Sequence, residues 1–256
     1  LEQRLQTSFD ESAFAQARTV ADLRALVEGG AAAADAGPAD RLEVPRWSLS
    51  WPARAVRRVL QSALVLPLTR YFARITAHGT EHLRDLAGPV VLASNHQSHL
   101  DTPVILAALP PELRRRLAPA MAKEFFRAHF HPAEYSLRER SKISTLYFLA
   151  ALAFNAFPLP QREAGARNTL RYIGRLTSAG FSILIFPEGA RGESGSLKPF
   201  RPGVALIGSR LGLPVIPVRL DGVDRVLHPS WRMARRGQVD VRFGAPIVCR
   251  GEDYPA

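Results

Sequence analysis

The sequence is poor in cysteine and in long apolar runs, and each shortage excludes a class of protein. Cys249 is the single cysteine among 256 residues, so an internal disulfide framework and a cysteine-rich metal site are both excluded. A reducing, cytoplasmic setting is the default for such a chain. The apolar stretches at 59–68 and 143–157 contain or precede a proline, and they are shorter than the roughly 18 residues of a spanning helix. We therefore expect no transmembrane helix, and the opening residues predict no signal peptide.

The sequence also lacks the short motifs of several enzyme classes. It has no Gly-x-Ser-x-Gly elbow of a hydrolase, no His-Glu-x-x-His and no P-loop. His96, His99 and Asp101 lie close enough in sequence to suggest a metal site, but no second His/Asp cluster supports one. We therefore favour acid–base chemistry at these residues and predict neither a metal nor a cofactor.

Positive charge is abundant and unevenly distributed. The net charge is +11, yet residues 1–45 hold four arginines and eight acidic residues, which leaves +15 for the remainder. Such a basic body suits an anionic partner: nucleic acid, anionic lipid or a phosphorylated small molecule. The basic residues are not interleaved with aromatic ones and match no nucleic-acid-binding motif, so we expect no nucleic acid partner.

The composition divides the chain into three parts. Residues 1–29 predict a short pair of helices, residues 30–50 a linker, and residues 51–256 the main domain. The opening segment resembles the C-terminal half of an acyl carrier domain, without the Asp-Ser-Leu motif that bears the phosphopantetheine arm. Two interpretations stay open: a carrier remnant, which would make the chain a fragment of a larger protein, and an ordinary amphipathic helix pair.

The main domain alternates strand-like and helix-like runs. This alternation predicts an α/β fold, a central mostly parallel sheet flanked by helices, with the N-terminal helical segment as an appendage. The helical patterns fall at 101–109, 133–152, 165–179 and 202–211. The strand-like runs are RITAHG (74–79), PVVLAS (89–94), APAMA (118–122), NAFPLP (155–160), FSILIFP (181–187), LPVIPVRL (213–220) and VDVRF (239–243).

A basic amphipathic helix is predicted over residues 51–64. One interpretation lays it in a membrane interface, with its basic side towards anionic headgroups and its apolar side among the acyl chains. The other packs the apolar side on the protein's own core and leaves the arginines solvated. We favour the membrane interpretation. The basic side carries Arg54, Arg57, Arg58 and Gln61, and the apolar side Val56, Val59, Leu60, Ala63 and Leu64.

Two polar loops follow buried strands and carry the candidate chemistry. In NHQSHLD, His96 and Asp101 are five residues apart, so the carboxylate can orient the imidazole as a general base. In FPEGAR, Gly189 lets backbone amides approach an anion, and Arg191 can grip a phosphate in a bidentate fork. Lys198 and Arg201 add charge to the same loop. Because ligands collect at one edge of such sheets, we predict that His96 and Arg191 face one pocket.

These motifs, in this order, resemble the glycerol-phosphate and lysophosphatidate acyltransferase family. NHQSHLD matches the first signature and FPEGAR the third; FNAFPLPQR, ending at Arg162, looks like the second, and LPVIPV (213–218) like the fourth. The resemblance covers roughly residues 72–245. Ala190 stands where the family usually has threonine, which removes a hydroxyl from the loop and leaves the acceptor open.

The resemblance implies an O-acyltransferase in which His96 and Asp101 are catalytic. His96 would deprotonate the acceptor hydroxyl, and the alkoxide would attack a thioester without a covalent enzyme intermediate. It also implies that the donor is acyl-CoA or an acyl-carrier thioester, and that the acceptor is lysophosphatidate or a related phosphorylated glycerolipid. The residues that would position this acceptor are Arg162, Glu188, Gly189 and Arg191.

Several partners and alternatives follow from this interpretation. We expect a cytoplasmic protein bound peripherally at the inner face of the membrane, with an anionic membrane surface as partner and a fused or separate acyl carrier domain left open. Glycerol-3-phosphate, a lysophospholipid or a glycolipid is an alternative acceptor. A non-catalytic lipid-binding protein is a further alternative, which measurement of acyl-CoA turnover would separate from an enzyme.

Overall fold

The computed structural model describes residues 45–159, 166–190, 198–228, 230–231 and 233–249. The predicted helical segment at 1–29 and most of the predicted linker at 30–50 lie outside these residues.

The described residues contain helices and strands in regular alternation. The helices are α1 (Trp51–Leu60), α2 (Leu66–Phe72), α3 (Asp101–Ala108), α4 (Pro111–Arg115), α5 (Arg127–Phe130), α6 (Leu137–Phe154), α7 (Ala166–Ser178), α8 (Gly203–Leu211) and α9 (Val223–Val226). The strands are β1 (Ala73–His78), β2 (Val91–Ser94), β3 (Leu117–Ala122), β4 (Phe157–Leu159), β5 (Ser182–Ile185), β6 (Val215–Asp221) and β7 (Gly237–Phe243). A π-helical turn (Gln61–Val65) joins α1 to α2, and short 3-10 turns lie at Arg46–Leu49, Thr80–Leu83, Lys123–Phe126 and Pro132–Glu134.

The strands form a single sheet in the order β1-β7-β6-β2-β5-β3-β4. All neighbouring strands pair in parallel except β6 and β7, which are antiparallel. The α/β class and the mostly parallel sheet are thereby confirmed. Each of the seven strand-like runs in the sequence corresponds to one of these strands, with ends that differ by at most two residues.

The centre of the sheet is buried on both faces. Val91 and Leu92 of β2 and Ile183 of β5 are completely buried, which is why these strands appear in the sequence as unbroken apolar runs. One core lies between the sheet and α3, where Ile105 contributes. The other lies beneath α7 and α8, where Ile173 contributes. This burial fixes β2 and β5 side by side, and with them the two polar loops that follow.

The predicted helices at 101–109, 133–152, 165–179 and 202–211 correspond to α3, α6, α7 and α8. Helix α6 begins at Leu137, four residues later than predicted, because Ser136 and Glu139 form a capping box. The backbone N–H of Glu139 donates to Oγ of Ser136 (3.3 Å), and the backbone N–H of Ser136 donates to Oε2 of Glu139 (3.1 Å). No helix in the described part of the chain is long and apolar enough to cross a bilayer.

Helix α1 buries two residues of its polar side, which neither interpretation of its sequence predicts. Arg57 and Gln61 are buried, whereas Val56 and Val59 are 51% and 67% exposed. The apolar side therefore does not pack on the core, and the expectation that Arg57 contacts lipid headgroups is wrong. Arg54 and Arg58 remain exposed.

Arg57 and Gln61, the buried polar residues of α1, form hydrogen bonds with the C-terminal end of α6. The last carbonyls of a helix have no partner within the helix, so a buried helix end needs outside donors. The guanidinium of Arg57 and the amide of Gln61 supply them, and a cation there also suits the helix dipole. Arg57 donates to the carbonyls of Ser48, Ala151 and Leu152 at 2.8–3.0 Å, and Gln61 to that of Ala153 at 2.8 Å.

Replacing Arg57 with Met should destabilise the fold. Burial, and secondarily the charge of Arg54, lowers the pKa of Arg57 to about 10, so the side chain is still charged at neutral pH. Its loss leaves buried carbonyls without a donor, and we expect the free energy of unfolding to fall by about 3 kcal/mol. Urea denaturation measures this change. Arg58→Met, at an exposed position on the same helix, should change stability by less than about 0.5 kcal/mol. Equal effects of the two substitutions would contradict this account.

Candidate active site

The two predicted loops meet at one edge of the sheet. Strands β2 and β5 are parallel neighbours, so their carboxyl ends lie together. His96 follows β2 and Glu188 follows β5 within three residues. The backbone N–H of His96 donates to Oε1 of Glu188 at 3.0 Å, which joins the loops directly. In open α/β sheets this edge is where ligands bind.

Asp101 holds the imidazole of His96 in one orientation. Nδ1 of His96 lies 2.6 Å from Oδ2 of Asp101. Asp101 is completely buried and occupies the first turn of α3, where the helix dipole favours a negative charge. Because an ionised carboxylate only accepts hydrogen bonds, this contact favours the neutral imidazole that carries its proton on Nδ1 and a lone pair on Nε2. This is the tautomer that a general base requires.

A single oxygen of Asp101 receives every hydrogen bond of this carboxylate within the described residues. Besides the imidazole, the backbone N–H groups of Gln97 and Ser98 donate to Oδ2, at 2.6 and 2.9 Å. Oδ1 is buried and has no partner among the described residues. The carboxylate thus shapes the loop around the histidine and orients the ring at the same time.

Phe186 stacks on a face of the His96 imidazole, a contact that the sequence analysis missed. The rings of His96 and Phe186 are stacked, with centroids 4.2 Å apart and planes inclined by 22°. The side chain of His96 remains 24% exposed, so a substrate can reach it. Phe186 is the first residue of FPEGAR, and its position directly after a buried strand was the available signal.

Two further side chains anchor the histidine loop, one to strand β6 and one to the residue that follows α9, and sequence reasoning missed both. The amide of Asn95 pairs with the backbone of Leu220 in β6, donating to its carbonyl (2.9 Å) and accepting from its N–H (2.7 Å). The hydroxyl of Ser98 donates to the carbonyl of Leu227. These bonds fix the loop on the side away from Glu188.

Glu188 lies in the site, but its carboxylate contacts backbone. Oε1 accepts from the N–H of His96, and Oε2 accepts from the N–H of Lys198 at 3.1 Å. The side chain is buried. Direct contact between Glu188 and a substrate stays a prediction. The two hydrogen bonds connect Glu188 to the histidine loop and to Lys198 at the far end of its own loop.

Gly189 is required by the shape of this loop. Its φ of 68° lies in the left-handed region that favours glycine, and a Cβ there would lie 2.6 Å from Nε of Arg201. The absence of a side chain at Gly189 lets the exposed side chain of Arg201 lie against the loop backbone. This position agrees with the prediction that Arg201 adds positive charge to the loop.

Arg162 and Arg191, the two predicted phosphate ligands, lie outside the described residues. Their roles, and the prediction that Arg191 shares a pocket with His96, stay predictions. The described ends of the Arg191 loop are anchored beside His96, through Glu188 and through the bond from the N–H of Arg201 to the carbonyl of Pro187.

One more basic residue, which the sequence analysis did not single out, lies at this edge. Lys123 follows β3 directly and is buried. Strand β3 is a parallel neighbour of β5, so Lys123 lies at the same edge of the sheet as His96. The third histidine-loop residue considered for a metal, His99, is exposed. Over the described residues, no group of three or more His, Cys, Asp or Glu side chains is placed to hold a metal ion.

The described site combines a mostly parallel sheet with an oriented histidine and a Phe-Pro-Glu-Gly loop at one edge. Residues 74–221 match the sequence profile of the family described as Acyltransferase, and this span exceeds half of the chain. The chain belongs to the acyltransferase family.

The relatives of this chain include acyltransferases of plants and animals. The chloroplastic 1-acyl-sn-glycerol-3-phosphate acyltransferase of Brassica napus is 26% identical over 180 residues, covering 69% of this chain and 46% of that protein. The human 1-acyl-sn-glycerol-3-phosphate acyltransferase alpha is 24% identical over 220 residues, covering 81% and 70%. The chain thus spans a little under half the length of the plant relative.

A solved structure has the same fold. The crystal structure of the 1-acyl-sn-glycerophosphate acyltransferase PlsC from Thermotoga maritima superposes with a TM-score of 0.53 at 16% sequence identity. The match covers 82% of this chain and 78% of that one.

Replacing Glu188 with Gln tests whether this residue joins the loops. An amide has one acceptor oxygen, so its NH2 group would face one of the two backbone N–H donors. We expect the free energy of unfolding to fall by about 1–3 kcal/mol, measured by urea denaturation. Glu81→Gln, at an exposed position, is the matched control and should have no measurable effect. Parent-like stability of Glu188→Gln would show that the two bonds contribute nothing.

Proposed function

We propose that this chain is an O-acyltransferase that moves a fatty acyl group from a thioester to a hydroxyl of lysophosphatidate or a related glycerophospholipid precursor. One observation carries the proposal: the 2.6 Å contact between His96 and the buried Asp101, at an exposed edge of the sheet. It supports a histidine with a fixed tautomer and an available Nε2. The names of the curated relatives, which specify 1-acylglycerol 3-phosphate, support the acceptor class.

The proposed reaction needs one base and a good leaving group. Nε2 of His96 takes the proton of the acceptor hydroxyl as its oxygen attacks the thioester carbonyl. The tetrahedral intermediate then collapses, the C–S bond breaks, and the thiolate takes the proton back from the imidazolium. The negative charge of Asp101 stabilises that imidazolium while it exists. A thiolate leaves readily, so no acyl-enzyme is required.

The acceptor's phosphate is assigned to the FPEGAR side of the site. Arg162 and Arg191 stay the predicted ligands, and Arg201 lies against the loop backbone at Gly189. The donor is acyl-CoA or an acyl-carrier thioester, and the reaction uses no cofactor. Thiol release measured with lysophosphatidate, glycerol-3-phosphate and a lysophospholipid in turn identifies the acceptor. Release without any acceptor would indicate a thioesterase and contradict the proposal.

We expect His96→Ala to lower the rate of acyl transfer by about a hundredfold to ten-thousandfold, because it removes the base. Thiol release from acyl-CoA in the presence of lysophosphatidate measures the rate, and an unchanged unfolding midpoint shows that the fold is intact. His99→Ala is the matched control and should keep most of the activity, since His99 takes no part in the proposed proton transfer. A metal site built on both histidines would instead make the two variants equally inactive.

Asp101→Asn separates the charge of this residue from its hydrogen bonds. Since the imidazole and both backbone N–H groups reach one oxygen, the amide oxygen of Asn can accept all three. The loop should keep its shape, whereas the imidazolium loses its counter-charge. We expect the turnover number to fall about a hundredfold or more with little change in KM. Parent-like turnover would mean that Asp101 acts only on the loop.

A membrane surface is the proposed setting, because the acceptor is a lipid. The exposed side of α1 and α2 carries large apolar residues, and part of α6 exposes more. Exposed apolar surface of this kind marks a site of association, and next to the exposed Arg54 and Arg58 it suits an anionic bilayer. We call these residues the apolar patch: Trp51, Val56, Val59, Leu64, Leu68, Phe148 and Leu149.

Charges introduced into the apolar patch should weaken binding to vesicles. We expect Val59→Glu/Leu64→Glu to lower co-sedimentation with anionic vesicles about tenfold or more. Insertion of a carboxylate among the acyl chains costs its hydration, and the anionic headgroups repel its charge. The matched control is Met233→Glu/Val248→Glu, which changes two apolar residues that are more exposed and lie outside these helices. Equal losses in the two double variants would point to net charge alone and contradict docking through the patch.

A further inference from the structure

A large cavity lies at the edge of the sheet opposite to His96. Its volume is about 1090 Å³, which is ample for a small molecule. Gly88 precedes β2, Arg116 precedes β3 and Gly180 precedes β5, and all three line it. These strands are parallel, so their amino ends form this edge, whereas His96 and Glu188 follow their carboxyl ends. The cavity is therefore separate from the candidate active site.

The charge of the cavity wall is almost entirely positive. Among the described residues, Glu112 is the one acidic side chain that lines it. Five of the arginines are exposed and form no ion pair or side-chain hydrogen bond within the described part of the chain: Arg54, Arg58, Arg84, Arg115 and Arg116. Their donors point to solvent or into the cavity, which is what a ligand with several negative charges requires.

Two of the arginines are packed closely against the wall of the cavity. Nη1 of Arg116 approaches Gly180 so closely that a Cβ there would lie 2.7 Å away. Nε of Arg114 is buried without a hydrogen-bond partner among the described residues, although its Nη2 donates to the carbonyl of Leu109. Burial, and then the charges of Arg70 and Arg115, lower the pKa of Arg114. An anion bound here would relieve this repulsion.

We propose that this cavity is a second ligand site that binds a phosphate-bearing anion with two or more negative charges. Guanidinium groups match phosphate oxygens with bidentate hydrogen bonds, and arginine supplies almost all of the charge here. The space exceeds that of a lone phosphate, so the ligand carries a further group. Helix α1 forms one wall and also bears exposed Val56 and Val59, so the phosphate can come from a lipid headgroup as well as from a soluble compound.

Calorimetric titration with two probes tests the site and identifies the source of the phosphate. The probes are inorganic pyrophosphate and a short-chain phosphatidate kept below its micelle concentration. The test variant is Arg84→Gln/Arg115→Gln, and the matched control is Arg171→Gln/Arg210→Gln, which removes the same charge from exposed positions on α7 and α8. Both variants keep His96 and the FPEGAR loop, so any phosphatidate bound at the active site contributes equally to each.

We expect saturable binding that the test variant weakens by about tenfold or more and the control by less than about twofold. A loss confined to phosphatidate assigns the site to a lipid headgroup, and a loss that includes pyrophosphate assigns it to a soluble phosphate compound. Absence of saturable binding for both probes, or equal losses in the two variants, would overturn the proposal. Acyl transfer is measured in a separate assay. A negative result for binding in the cavity therefore does not contradict the proposed acyl transfer reaction.

Discussion

The short hydrogen bond between Nδ1 of His96 and the buried carboxylate of Asp101 is the interaction on which the rest of the site depends. Asp101 has no exposure to water, so its charge is stabilised by the three donors at Oδ2 and by the first turn of α3. The same oxygen that fixes the imidazole fixes the loop. The orientation of the base and the shape of its surroundings are therefore one structural feature.

Burial at the centre of the sheet makes this feature possible. Because β2 and β5 are parallel neighbours, the loops that follow them lie at one edge, where Glu188 joins them by accepting from the backbone N–H of His96. The other edge carries the arginine-lined cavity, and α1 forms part of its wall. The sheet thus separates the candidate active site from the arginine-lined cavity. The apolar patch lies on the helices that precede the sheet, α1 and α2, and on α6.

Much of this arrangement was predictable from the sequence, and the failures have physical causes. Unbroken apolar runs identified the strands, and the spacing of His96 and Asp101 identified the pair, because both depend on local pattern. The orientation of α1 was not predictable: amphipathicity gives a helix two faces, but which face is buried depends on the partner. Here the partner is the end of α6, whose carbonyls need the donors of Arg57. The bond from the backbone N–H of His96 to Glu188 was equally hidden, since the two residues are 92 positions apart in sequence.

The central claim is that Asp101 fixes His96 in the tautomer that leaves Nε2 available as the base. Nitrogen NMR of the His96 imidazole, identified by its loss in His96→Ala, reads this tautomer directly. The account predicts that the neutral ring carries its proton on Nδ1 in the parent protein, with Nε2 showing the chemical shift of an unprotonated nitrogen. A neutral ring protonated mainly on Nε2 would contradict the assignment of His96 as the general base.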